Sequence, residues 1–274
     1  MKFQFNHIAA VVAAASLFVS CSNNDDSSKV TEGTTGDAEL YFDNGVAGDA
    51  LILGNTFTNS TGEALTINRL SYIISNLVFI KEDGTEFIYP KEESYFVISQ
   101  EAELFTVHLE NIPAGDYKKI RFGLGVDQQR YLQGETAQQS FWDLAAANNL
   151  TWTWSTGYKF INFEGTFTSA ASAESKVFQV HQGSNTATDN YREITLNLPT
   201  TARVREDEQP SIHIKSDTNV LLDGDTKIIL QDNLNGAGTA ASVMGGQNLI
   251  DIAANSLKMF EVDHVHNGSG SHHE

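Results

Sequence analysis

A neutral imidazole offers a lone pair at physiological pH, which makes histidine the commonest protein ligand for copper and zinc. The chain carries eight histidines, and apart from His7 these are His108, His181, His213, His264, His266, His272 and His273. In Asp263-His264-Val265-His266-Asn267 two of them stand at i,i+2. On an extended segment that spacing sets both rings on one face, with Asp263 or Asn267 in place to orient a ring. The segment reads either as a metal-binding pair or as the exposed polar end of a last strand. His181 closes the run Val177-Phe178-Gln179-Val180 and precedes Gln182-Gly183. Alternation sends it to the more polar face where a strand meets a loop, as a metal ligand or as a hydrogen-bonded loop residue. His108 and His213 fall inside expected strands and read as structural. His272-His273 follows Gly268-Ser269-Gly270-Ser271 and belongs to an expected disordered tail, residues 268–274.

Two of the three tryptophans, Trp152 and Trp154, lie in a run from Thr151 to Gly165 that also holds Tyr158, Phe160 and Phe163. Its apolar side chains mostly alternate with polar ones, the period of a half-buried central strand with an aromatic wall. A bulge at Gly157 would redirect the second half of that strand. The tryptophans either fill the core, or one of them, Trp154 or Trp152, lines a site as a binding platform or a redox-active ring.

Templates for catalysis do not assemble. No Gly-x-Ser-x-Gly elbow, His-Glu-x-x-His helix or phosphate-binding loop occurs. The carboxylates fall in turns and linkers without an evident pair, so the chain reads as non-enzymatic. With 17 Lys and Arg against 35 Asp and Glu, the formal net charge of -18 opposes nucleic acid and anionic headgroups as partners.

The single cysteine, Cys21, excludes an intrachain disulfide. It follows Met1-Lys2, an apolar run from Ile8 to Val19, and Ser20, which is the layout of a secretory signal cleaved before a lipidated Cys. Phe18 departs from the bacterial pattern, in which Leu is usual. Asn23-Asn24-Asp25-Asp26 resembles the acidic export tags of Bacteroidetes surface lipoproteins. Residues 1–20 are therefore expected to be a signal peptide and residues 21–37 a lipidated Cys with a flexible tether. The folded domain is expected over 38–267, anchored at the outer membrane or cell surface through its lipid only.

Strand signals begin at Ala38-Glu39-Leu40-Tyr41-Phe42. Between Ala64 and Ile80 apolar residues stand on both parities, so part of that strand is covered on both faces. Asp83-Gly84 supplies a hairpin turn into Phe87-Ile88-Tyr89. Further strands are expected at 95–99, 104–109, 117–124, 177–181, 192–198, 211–215 and 227–230. Two short helices are expected, one over 138–148 with Phe141, Leu144 and Ala145 on its apolar face, and one over 248–260 capped by Asn248 and Asp251. The expected fold class is all-β, an antiparallel β-sandwich with two short helices.

Several blocks occur in order: Leu70-Ser71-Tyr72-Ile73-Ile74-Ser75-Asn76, Phe122-Gly123-Leu124-Gly125-Val126-Asp127, Trp154-Ser155-Thr156-Gly157-Tyr158-Lys159-Phe160 with Glu164-Gly165, Val180-His181-Gln182-Gly183, and Met259 to Asn267. Together they resemble the MbnP-like domain family over most of residues 38–267. The resemblance implies an exported copper-binding β-sandwich, encoded with a di-haem peroxidase of the MauG type. In methanotroph members that partner oxidises a Trp to kynurenine, and copper is held by His with help from the modified ring. Here it implies His181, His264 and His266 as metal ligands and Trp154 or Trp152 as the modified aromatic. One departure is the first strand, where many relatives have a His after the Phe and this chain has Asp43.

The function expected from these readings is an exported lipoprotein that binds copper through histidines, in metal acquisition with a di-haem peroxidase partner. The rival is a surface glycan-binding or adhesin module that stacks sugars on exposed Trp152, Trp154 and Tyr158.

Overall fold

The computed structural model of the protein describes residues 29–152 and 157–268. Cys21, the expected signal, Trp154 and His272-His273 lie outside the described residues. The strands are β1 (Thr35–Val46), β2 (Asp49–Ala50), β3 (Thr56–Thr58), β4 (Ala64–Lys81), β5 (Glu86–Ile88), β6 (Tyr95–Ser99), β7 (Thr106–Pro113), β8 (Gly115–Leu124), β9 (Ile161–Ser169), β10 (Ser172–Gln182), β11 (Arg192–Val204), β12 (Gln209–Asp217), β13 (Ala240–Val243) and β14 (Phe260–Gly268). The α-helices are α1 (Gln128–Tyr131), α2 (Gln139–Ala147), α3 (Val220–Asp223) and α4 (Gln247–Asn255).

One sheet has five strands in the order β14-β12-β1-β2, with β7 also paired to β1. The other has nine, β11-β8-β4-β9-β10-β13, with β3, β5 and β6 paired to β4. The expected all-β sandwich with short helices is the observed architecture. It is not wholly antiparallel, because β1 pairs with β12 and β10 with β13 in parallel. Both pairs join strands distant in sequence through long crossovers, which no hairpin signal marks.

Alternation along β1 sends Ala38, Leu40 and Phe42 inward, each fully buried. Phe42 meets Tyr72 of β4 at 6.1 Å, Phe122 of β8 at 5.9 Å and Phe260 of β14 at 6.1 Å between ring centroids, all edge to face. These four rings tie the two sheets together. The Tyr72 hydroxyl, buried with them, donates to Asn44 Oδ1 at 2.8 Å, so the polar tip is satisfied.

The opposite face of β4 is covered too, as its double parity requires. Ile73 joins Tyr95, Val97, Val126, Ala145, Leu150, Tyr158 and Phe160 in a second apolar cluster. Helix α2 contributes Phe141, Trp142 and Ala145 to it, whereas Leu144, expected on the apolar face, is exposed.

The aromatic run is not one strand. β9 begins only at Ile161, Thr151 and Tyr158 form an isolated bridge, and Gly157 turns the chain at φ 139. Tyr158 and Phe160 therefore enter the second cluster while Phe163 reaches the main core. The strand expected over 227–230 is replaced by a 3-10 turn at Leu230–Asn233 that receives Glu63: its carboxylate accepts from the Leu230 and Gln231 amides. α4 ends at Asn255 rather than running to Phe260, which opens β14. Its N-cap is Gly246, and Asn248 instead donates to Asn233 Oδ1.

The Asp of the Gly-Leu-Gly-Val-Asp block is a structural clasp. Asn76 sits at φ 51 at a bulge in β4, and its amide reaches Asp127 Oδ2 at 3.1 Å. Lys91 Nζ at 2.6 Å and the Tyr95 hydroxyl at 2.7 Å donate to the same oxygen, while Oδ1 caps α1 through the Arg130 amide. Burial alone would raise this carboxyl, but the donors from Lys91, Tyr95, Asn76 and Arg130 outweigh it and hold it at about 2. A depressed carboxylate adds stability above its unfolded value of 3.8, and that stability is lost as pH falls through about 2. Because Lys91 is half exposed, the effect is screened to about 1–2 kcal/mol. Urea midpoints measured from about pH 4 to about pH 2 are expected to fall in the wild type and to change less in Asp127→Asn, whose stability is already lower at neutral pH.

Candidate functional site

His181 is the penultimate residue of β10 and projects from the outer face of the nine-stranded sheet, yet it is only 6% exposed. Trp152 covers it, ring edge to ring face at a centroid distance of 5.7 Å. Pairing of β9 with β10 sets Asn162 opposite His181 and Glu164 opposite Gln179, so Glu164 is the diagonal neighbour of His181. Its Oε1 stands 2.6 Å from His181 Nε2.

Glu164 is fixed in turn by β4. Gly165 allows the close approach, since a Cβ there would lie 2.1 Å from the Thr66 carbonyl oxygen. A register shift between Ile67 and Arg69 then brings Arg69 opposite Glu164, and its guanidinium reaches Oε2 at 3.2 Å and also pairs with Glu101. The Lys159 ammonium completes the surroundings, 5.7 Å above the Trp152 ring.

These charges decide the protonation of the pair. Burial lowers the His181 pKa, with Glu164 opposing and Lys159 and Arg69 adding to the shift. Glu164 is also lowered, first by its hydrogen bond to His181 and against its own burial. At neutral pH the pair is thus a neutral imidazole donating Nε2–H to an ionised carboxylate, which leaves the lone pair on Nδ1. A carboxylate holding one ring nitrogen so that the other can ligate is the usual arrangement behind a metal-bound histidine.

Beside Trp152 a cleft of about 500 Å³ opens, walled by Tyr131, Gly183, Asn190, Met244 and Leu249 among others. Asn190 is 3% exposed and its Oδ1 has no partner among the described residues, although its amide nitrogen donates to the Gly183 carbonyl. The nearby Asn162 Oδ1 and Gln182 Oε1 are also buried without a partner. Asn190 lines the cleft, so its orphaned acceptor suits a polar occupant there such as water.

His264 and His266 lie elsewhere, on β14 at the edge of the five-stranded sheet. Both project outward, as their spacing requires. Asp263 Oδ2 engages His264 Nδ1 at 2.8 Å, the orienting role read from sequence. Asn267 does not orient a ring: it accepts from the Arg203 amide and donates to the Thr201 carbonyl, fastening β14 to β11. His181 therefore does not share a cluster with His264 and His266. Among the described residues no group of three or more His, Cys, Asp or Glu is placed to hold a metal.

Sequence reasoning passed over two residues. Glu164 was visible only as part of a block, and a hairpin register counted from Ser169 and Ser172 would have set it opposite Val177, because the shift between Ser172 and Lys176 is what brings it diagonal to His181. His213, read as structural, stacks on His264 at 4.1 Å between centroids. His108, also read as structural, is exposed and pairs through Nδ1 with Glu39 Oε1 at 2.9 Å.

The MbnP family model matches residues 35–244. Trp152, Glu164, His181 and His213 fall inside that match, and His264 and His266 beyond it. Among solved structures the chain is similar to MbnP from Methylosinus trichosporium, at 12% identity and a TM-score of 0.48, covering 87% of this chain and 100% of that one. No curated protein matches the chain. With the family model spanning well over half of its length, the chain belongs to the MbnP family.

Proposed function

We propose that the protein is an exported, lipid-anchored copper-binding protein that takes the metal at His181 beside Trp152 and acts in copper acquisition with a di-haem peroxidase of the MauG type. The observation that carries this reading is the ring of Trp152 packed edge to face with a neutral imidazole whose Nε2 is held by Glu164. The donor chemistry fits copper: imidazole suits this metal, and the remaining His181 nitrogen is the one with the lone pair. When bound, copper would supply a redox-active centre beside Trp152.

The chain's own residues have separate tasks. Glu164 fixes the tautomer and plane of His181, and the hydrogen bond from His181, helped by the Arg69 and Lys159 charges, keeps that carboxylate ionised. Trp152 shields the imidazole from water. Family membership supports the metal, and the resemblance to methanotroph members supports an oxidised Trp152 or Trp154 as a further donor. The Cys21 layout supports the lipid anchor. The glycan-binding alternative loses one of its stacking rings, because Tyr158 is 2% exposed within the second cluster.

Copper retained after mild dialysis tests the reading, compared between the His272→Ala/His273→Ala parent and the same chain carrying His181→Ala. The parent, isolated from a host that makes the peroxidase partner, is expected to retain copper that the His181→Ala chain loses. Equal copper in both, or none in either, would overturn the assignment.

A further inference from the structure

The outer face of the five-stranded sheet carries imidazoles that the site at His181 does not use. β12 and β14 run antiparallel with His213 directly opposite His264, and the two rings lie at 4.1 Å and 22°. The register shifts immediately afterwards, so that Ile214 faces Val262 and Asp263 is the extra residue of a bulge. The bulge turns Asp263 and His264 outward together, while Val265 stays buried. This places the Asp263 carboxylate between the Lys215 ammonium and His264 Nδ1.

That contact holds the His264 ring and leaves Nε2 as its ligating nitrogen. His213 is held from its other side by Tyr41, whose ring is 5.3 Å away. His266 stands two residues further along the same face, opposite Ser211. The charged groups facing the pair are Asp263 and Lys215, with Asp43 opposite Lys215 on β1 and Glu261 opposite it on β14, so acids outnumber the one base. Two imidazoles on backbone-paired strands are already adjacent, so that rotation of the side chains out of their stack is enough to turn both toward one ion.

We propose that His213 and His264 form a second metal site, a cross-strand chelate for a late first-row divalent ion, with Cu2+ held more tightly than Ni2+ or Zn2+ by the usual affinity order. Two protein ligands leave coordination positions open to water, to His266 or to an incoming ligand, which makes it a site of exchange rather than storage. It is independent of the copper reading at His181, on the other sheet.

Full-length protein with His272→Ala and His273→Ala, titrated with CuCl2, NiCl2 and ZnCl2, tests the proposal. In imidazole-detected NMR, substoichiometric Cu2+ is expected to broaden the His213 and His264 rings before His108. His213→Ala, His213→Gln and His264→Ala are expected to weaken this binding on the order of tenfold or more, and Asp263→Ala by about 10–100-fold. His181→Ala is expected to leave it unchanged, so the two sites can fail separately. His213→Gln keeps the size and polarity of the side chain, which guards against loss through misfolding. Broadening spread evenly over exposed histidines, or equal affinity in parent and His213→Gln, would mean adventitious binding only and overturn the proposal.

Discussion

Phe42→Ala is expected to lower the free energy of unfolding by about 3–5 kcal/mol. The ring is fully buried and makes edge-to-face contacts with Tyr72, Phe122 and Phe260, one from each of three other strands. Its removal opens a void where the two sheets meet, and the surrounding rings stand on strands already fixed by pairing, so collapse is limited. Equilibrium urea denaturation followed by tryptophan fluorescence measures the change. A loss below about 1 kcal/mol would mean that the four rings do not form the joint between the sheets.

Glu164→Gln is expected to weaken copper binding at His181 by about 10–100-fold while leaving the fold in place. The amide is nearly the same size, but it lacks the charge that favours the Nε2–H tautomer and can offer His181 a donor as readily as an acceptor. The wild-type charge is balanced by Arg69, and the variant leaves that guanidinium with Glu101 alone. Competition against a chelator of known affinity measures the binding, and urea midpoints measure stability alongside. Unchanged affinity would separate Glu164 from the metal.

The sequence announced much of the sandwich because its strands obey simple alternation. Leu40 and Phe42 against Tyr41 and Asp43 fix the faces of β1, and Asp83-Gly84 fixes a hairpin. The double parity of residues 64–80 correctly called for cover on both faces of β4. The aromatic run misled because one positive-φ glycine, Gly157, ends what alternation alone would continue. Parallel partners for β1 and β10 could not be read, since no turn links them.

The site was legible in its residue types and opaque in its grouping. His181 and Trp152 were singled out, and they do meet. His264 and His266 share a face as their spacing demands, but only register shows that His213 faces His264 and that His181 stands on the other sheet. The bulge at Asp263 is a backbone event with no side-chain signature.

The central claim, copper at a carboxylate-held His181, is met most directly by crystals of the copper-loaded protein measured at the copper absorption edge. The expected result is an anomalous peak about 2.0–2.1 Å from His181 Nδ1, as for other metal–imidazole bonds, with Nε2 still on Glu164. A well-occupied copper peak elsewhere, with His181 bound only to Glu164 and covered by an unmodified Trp152, would contradict it.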